Sequence, residues 1–113
     1  MHVLYGDLML SGRSGEKFRF QTCSFETRFR AVPAVYFVTR RFSDNATFRR
    51  SRHEVIFVGE TASMAAPLGT PTQLEAFAKH GANCVCVHPS GDEALRREMV
   101  EDMILGHNPL LRG

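Results

Sequence analysis

The sequence predicts an α+β domain, with elements in the order hairpin, strand, strand, helix, strand, helix. Three observations carry that reading: an alternating segment beside a glycine-containing turn, short runs that are apolar on consecutive residues, and two stretches opening with helix-capping residues. Val3 to Leu10 and Glu16 to Ser24 flank Ser11-Gly12-Arg13-Ser14-Gly15. The second segment sets Phe18, Phe20 and Thr22 on one period-2 face and Lys17, Arg19 and Gln21 on the other, so the pair reads as a β-hairpin.

After Pro33, Ala34 to Thr39 and then Val55 to Val58 are apolar on consecutive residues, as strands buried on both faces tend to be. Between them, Arg40 to Arg52 holds five Arg (Arg40, Arg41, Arg49, Arg50, Arg52) against Asp44, which predicts a cationic hairpin loop. Thr61 to Gly69 is rich in small residues and interrupted by Pro67, so any helix there is short or broken. Thr70, Pro71 and Gln73 then form a capping-box signal, Leu74, Phe77 and Ala78 an apolar stripe, and Gly81 a stop. Cys84 to Val87 reads as a third buried strand ended by Pro89. Ser90 with Glu93 predicts a capping box for a second helix, on which Leu95, Met99, Val100, Met103 and Ile104 recur at helical spacing before Asn108-Pro109.

At 113 residues and 43% hydrophobic composition, the chain suits one core and excludes both disorder and a fibrous repeat. No apolar run approaches the roughly 20 residues of a membrane-spanning helix, so no membrane partner is expected. Gly6 and Asp7 interrupt the N-terminal segment where a signal peptide would be apolar, and three cysteines make no disulfide framework, so the expected compartment is the cytoplasm. Up to Ile56 there are ten Lys/Arg against five acids, and beyond it four against seven, giving +5 and −3. Twelve of the 14 cations are Arg, the side chain suited to bidentate phosphate contacts.

Ala34-Val35-Tyr36, then Phe57-Val58-Gly59 with Thr61 close behind, a strand, an acid-bearing helix and Asn108-Pro109 resemble the GIY-YIG nuclease domain over residues 33–113. That resemblance implies a small central sheet with two main helices, preceded by a β-hairpin extension over residues 1–32, the whole forming one compact unit. It also implies a Tyr near the nucleophile, an Arg on the first helix, and a Glu on a later helix that binds Mg²⁺. Tyr36 and Gly59 match their motif positions. Phe57 stands where the second Tyr would be, and no basic residue occurs from Ala62 to Leu68. Counting back about nine residues from Pro109 reaches Val100, which cannot ligate a metal. Glu101 and Glu98 are the nearest substitutes, with Glu101 the first choice as metal ligand.

The leading expectation is therefore a nuclease-like domain, catalytically degenerate, that binds nucleic acid, DNA before RNA. Arg40, Arg41, Arg49, Arg50 and Arg52 would follow the phosphates, with Phe42 and Phe48 available to stack on bases. A second reading is an active endonuclease using Mg²⁺ or Mn²⁺, with Tyr36 at the nucleophile, Glu101 or Glu98 on the metal, and Arg40 or Arg41 as the cation. If inactive, the domain needs no cofactor. A third is a protein-interaction module whose N-terminal hairpin offers an edge strand to a partner. Zinc is tempting at His80, Cys84, Cys86 and His88, but on a strand Cys84 and His88 stand roughly 13 Å apart, too far for one ion. Buried cysteines acting as small hydrophobes are the expectation there.

Overall fold

A computed structural model describes residues 4–43 and 51–112. The elements are β1 (Leu4–Ser11), β2 (Lys17–Ser24), β3 (Ala34–Ser43), β4 (Ser51–Thr61), α1 (Pro71–Lys79), β5 (Cys84–Pro89) and α2 (Glu93–His107). They make the expected α+β fold, a five-stranded sheet in the order β1-β2-β5-β3-β4 with every neighbouring pair antiparallel. The N-terminal hairpin is continuous with the rest, because Gln21 to Ser24 of β2 pair with Cys84 to Val87 of β5. Among the described residues, no helix is long and apolar enough to cross a membrane.

Alternation along the strands sorts the core into two layers. Phe20, Val35, Phe37, Val58, Cys84 and Cys86 are buried against Met99 and Met103 of α2. Ala34, Tyr36, Val38, Ile56, Val85 and Val87 are buried with Phe77 of α1. The helices thus cover opposite faces of the sheet. One irregularity sets the β3–β4 register: Val38 pairs with Phe57 but Thr39 pairs with Val55, leaving Ile56 as the extra residue of a β-bulge.

The ladder between β3 and β4 continues to Ser43 opposite Ser51. Arg40, Arg41 and Arg52 therefore lie on paired strands, which corrects the expectation of a loop from Arg40 to Arg52. Polar residues at an exposed hairpin end keep backbone pairing without burying a face, so hydrophobic runs understate such strands. Arg49 and Arg50, with Asp44 and Phe48, lie outside the described residues.

α1 is capped as its sequence predicts: Thr70 Oγ1 accepts from Gln73 N at 3.2 Å, and Gln73 Oε1 accepts from Thr70 N at 2.8 Å. Gly81 follows at φ +80°, where a side chain would be strained. α2 starts differently. Asp92, not Ser90, is its cap, with Oδ1 accepting from Leu95 N at 3.2 Å. Ser90 is held out of the helix because its N–H donates to Pro33 O at 2.9 Å and its carbonyl accepts from Arg96 Nη1 at 3.0 Å. The helix also turns a different residue to the sheet: Leu95 is 55% exposed, and Arg96, at 4%, takes the sheetward place, bonded to Glu60 and the Ser90 carbonyl. Gly12 and Gly106 let the β1–β2 turn touch α2, since a Cβ on Gly106 would stand 2.7 Å from Arg13 N.

Candidate functional site

The two strand triplets come together as adjacent strands, with Tyr36 paired to Gly59. Their side chains are spent on packing. Tyr36 is buried and donates its hydroxyl to Leu68 O at 2.9 Å. Burial, with the Glu60 carboxylate adding to it, pushes the Tyr36 phenol up to about 12, so it holds its proton at neutral pH rather than acting as a base. Gly59 is required by this contact: a Cβ there would stand 2.7 Å from Tyr36 Oη and 2.8 Å from the Phe57 ring. Phe57 lies 6.2 Å from the Tyr36 ring and 5.2 Å from Phe77, half-buried at the edge of the α1-side core. Thr61 closes the next turn, its Oγ1 accepting from Ser63 N at 3.1 Å and donating to Ser63 O at 3.0 Å.

Glu98 and Glu101 are not brought to Tyr36. Tyr36 packs in the layer beneath α1, whereas both glutamates sit exposed on α2, across the sheet. Glu98 borders an open groove of about 500 Å³ with Ser14, Glu16, His88 and Asp102. Asp102 is already engaged there by Ser14 N at 2.8 Å and Ser14 Oγ at 2.7 Å. Arg97, on the same exposed face, pairs with Glu93 one turn back along the helix at 2.7 Å. A hard cation such as Mg²⁺ or Mn²⁺ takes oxygen ligands and is shared with the substrate phosphate. Neither carboxylate can share one with Tyr36 from this position, so these residues do not fit such a centre.

The basic arm splits its arginines between two faces. Arg40 and Arg52 lie on one side with their guanidinium carbons 5.6 and 5.8 Å from the Phe42 ring centre. Phe42 is 40% exposed, and both arginines are exposed. Arg41 turns to the other face, over Tyr5 at 4.0 Å. Its backbone is pinned by Asn83, whose Oδ1 accepts from Arg41 N at 2.6 Å and whose Nδ2 donates to Arg41 O at 2.9 Å. None of the three is in an ion pair among the described residues.

A different cluster lies on the α2 face at the foot of this arm. Thr39 pairs with Cys84 and with Val55, and His53 pairs with Arg41. The Thr39 hydroxyl and His53 Nδ1 are 2.9 Å apart. The ligand atoms of His53, Cys84 and Cys86 all lie within 4.8 Å of one another, a convergence no other such trio makes among the described residues. Hydrogen bonding from Cys86, then from His53 and Thr39, lowers the Cys84 thiol to about 5 against the cost of burial. Cys86, hydrogen-bonded to that sulfur and buried, is pushed upward. Cys23 is also raised, by burial and then by Cys84.

Sequence reasoning had combined Cys84 and Cys86 with His80 and His88. The structure leaves those two elsewhere: His80 caps α1, and His88 Nδ1 bonds the Arg19 carbonyl at 2.8 Å. It also reveals Arg96, buried, with Nε 2.8 Å from Glu60 Oε1. Ending the predicted loop at Arg52 and starting the strand at Val55 left His53 unassigned, and reading Leu95 as core hid the Arg. Compared with protein-family models, curated proteins and solved structures, the chain matches none significantly.

Proposed function

We propose that this domain binds nucleic acid, DNA before RNA, as a nuclease-like scaffold without a cleavage site. The observation that carries the reading is the exposed trio Arg40, Phe42 and Arg52. Its two guanidinium groups, in no ion pair among the described residues, flank a half-exposed ring. That arrangement suits a nucleotide strand, because the ring offers a stacking surface and the planar cations reach the phosphates on either side. Arg41 widens the cationic surface around the arm toward Tyr5.

Placement is what supports a scaffold without cleavage. A phosphodiester needs its nucleophile, a cation and a carboxylate-held metal on one side of the bond. Here the phenol of Tyr36 is spent on Leu68 and separated from Glu98 and Glu101 by the sheet.

The test is fluorescence anisotropy with short duplex and single-stranded DNA and RNA across a salt series. Each phosphate contact contributes about 0.9 to the log–log salt slope on duplex DNA. Arg40→Ala/Arg52→Ala is expected to flatten that slope by about 2 and weaken binding on all sequences alike. Incubation with Mg²⁺ or Mn²⁺ is expected to leave plasmid and branched DNA intact. No binding at low salt, or binding indifferent to the double variant, would sink the reading.

A further inference from the structure

We infer that His53, Cys84 and Cys86 form a zinc site that staples β4 to β5 across β3. Cys84 and Cys86 stand two apart on β5, so alternation sends both sulfurs to one face of the sheet. His53 arrives from β4, on the far side of β3, and its ring spans Thr39 to reach them. The register that does this depends on the bulge at Ile56. Without the extra residue, pairing would slip by one and His53 would stand opposite Phe42, on the other face.

The donor set selects the ion. Two sulfurs and one imidazole, with no carboxylate among the three, are soft to borderline ligands suited to zinc rather than to Mg²⁺ or Mn²⁺. Charge narrows it further. Both cysteines are fully buried, and two thiolates with a neutral imidazole carry −2, which Zn²⁺ cancels and a monovalent copper ion does not. The ion takes both cysteines as thiolates and the imidazole as the neutral ring. Thr39, 2.9 Å from His53 Nδ1, serves as a positioning residue that fixes the ring, the usual outer support of a ligating histidine. The half-buried edge of His53 is the way in. The site is independent of the nucleic-acid reading and stands if that reading fails.

The experiment uses the whole chain, stripped with chelator under reducing conditions and titrated with Co²⁺ and then Zn²⁺. One Co²⁺ per chain is expected, with a thiolate-to-cobalt charge-transfer band that Zn²⁺ abolishes. Serine at either cysteine puts a hydroxyl into the core, so the decisive variant is His53→Gln on the rim, checked for folding by circular dichroism. It is expected to lower Zn²⁺ affinity by more than about 100-fold, and Thr39→Val by about 10-fold. Cys23→Ala, on the opposite face, is expected to leave Zn²⁺ affinity unchanged. A folded protein that gives no thiolate–cobalt band, that binds equally well after His53→Gln, or that takes Cu⁺ but not Zn²⁺ would overturn the assignment.

Discussion

The two faces of the sheet are cut from the same strands, yet they solve burial differently. Beneath α1 the layer is almost wholly apolar, Ala34, Val38, Ile56, Val85, Val87 and Phe77, and its buried hydroxyl, that of Tyr36, ends on the Leu68 carbonyl. Beneath α2 the apolar centre of Phe20, Phe37, Met99 and Met103 is bounded by the Arg96–Glu60 pair on one side and by Thr39, His53 and the two thiols on another. Among the described residues every buried side-chain nitrogen and oxygen has a partner. The comparison teaches that one face is held by shape, while the other also depends on groups that must satisfy one another. Those groups are where added function is cheapest to place.

The comparison can be broken most forcefully at its apolar centre. Phe37 packs edge-on against Phe20 and His107, each 5.1 Å away, and Phe37→Ala is expected to cost about 4 kcal/mol in denaturant unfolding. Next comes the buried pair. Glu60→Ala strands the Arg96 guanidinium and is expected to cost about 3 kcal/mol, whereas Glu60→Leu with Arg96→Met should recover most of that loss. If the double variant were no better than the single, the pair would be more than a satisfied burden.

The smallest effect sharpens the α1 side. Tyr36→Phe removes one hydrogen bond and is expected to cost about 1 kcal/mol at neutral pH. Alkali should change that difference. Because the fold raises the Tyr36 phenol from 10.0 to about 12, the folded state holds this proton more tightly than the unfolded chain. The contribution is fully present below pH 10 and is lost as pH climbs toward 12. Stability curves of wild type and Tyr36→Phe should therefore converge over that range, and parallel curves would refute the assignment.

Local chemistry made much of this legible in the sequence. The Thr70–Gln73 box and the Gly81 stop act within a few residues, and the alternation from Phe18 to Thr22 reports its own strand. What depended on distant partners was hidden. Ser90 looks like a helix cap until its N–H is claimed by Pro33, and Leu95 looks like core until Glu60 draws Arg96 inward. His53 was unreadable as a ligand because its face is decided by one extra residue in β4. Tyr36 could be matched to a motif position and Glu101 taken as the nearest substitute at another, but spacing along a chain does not say on which side of a sheet each will stand.

The position of β5 carries a consequence for how the molecule is made. This strand comes late in the chain yet lies in the middle of the sheet, between the two hairpins. As the polypeptide leaves the ribosome, β1–β2 and β3–β4 can each close locally, but both present an unpaired edge until Cys84 to Pro89 emerge to fill the gap. Final assembly is therefore an insertion step with long loops to close, which sets the pace of folding and makes the half-built sheet the stage most open to pairing with the wrong strand.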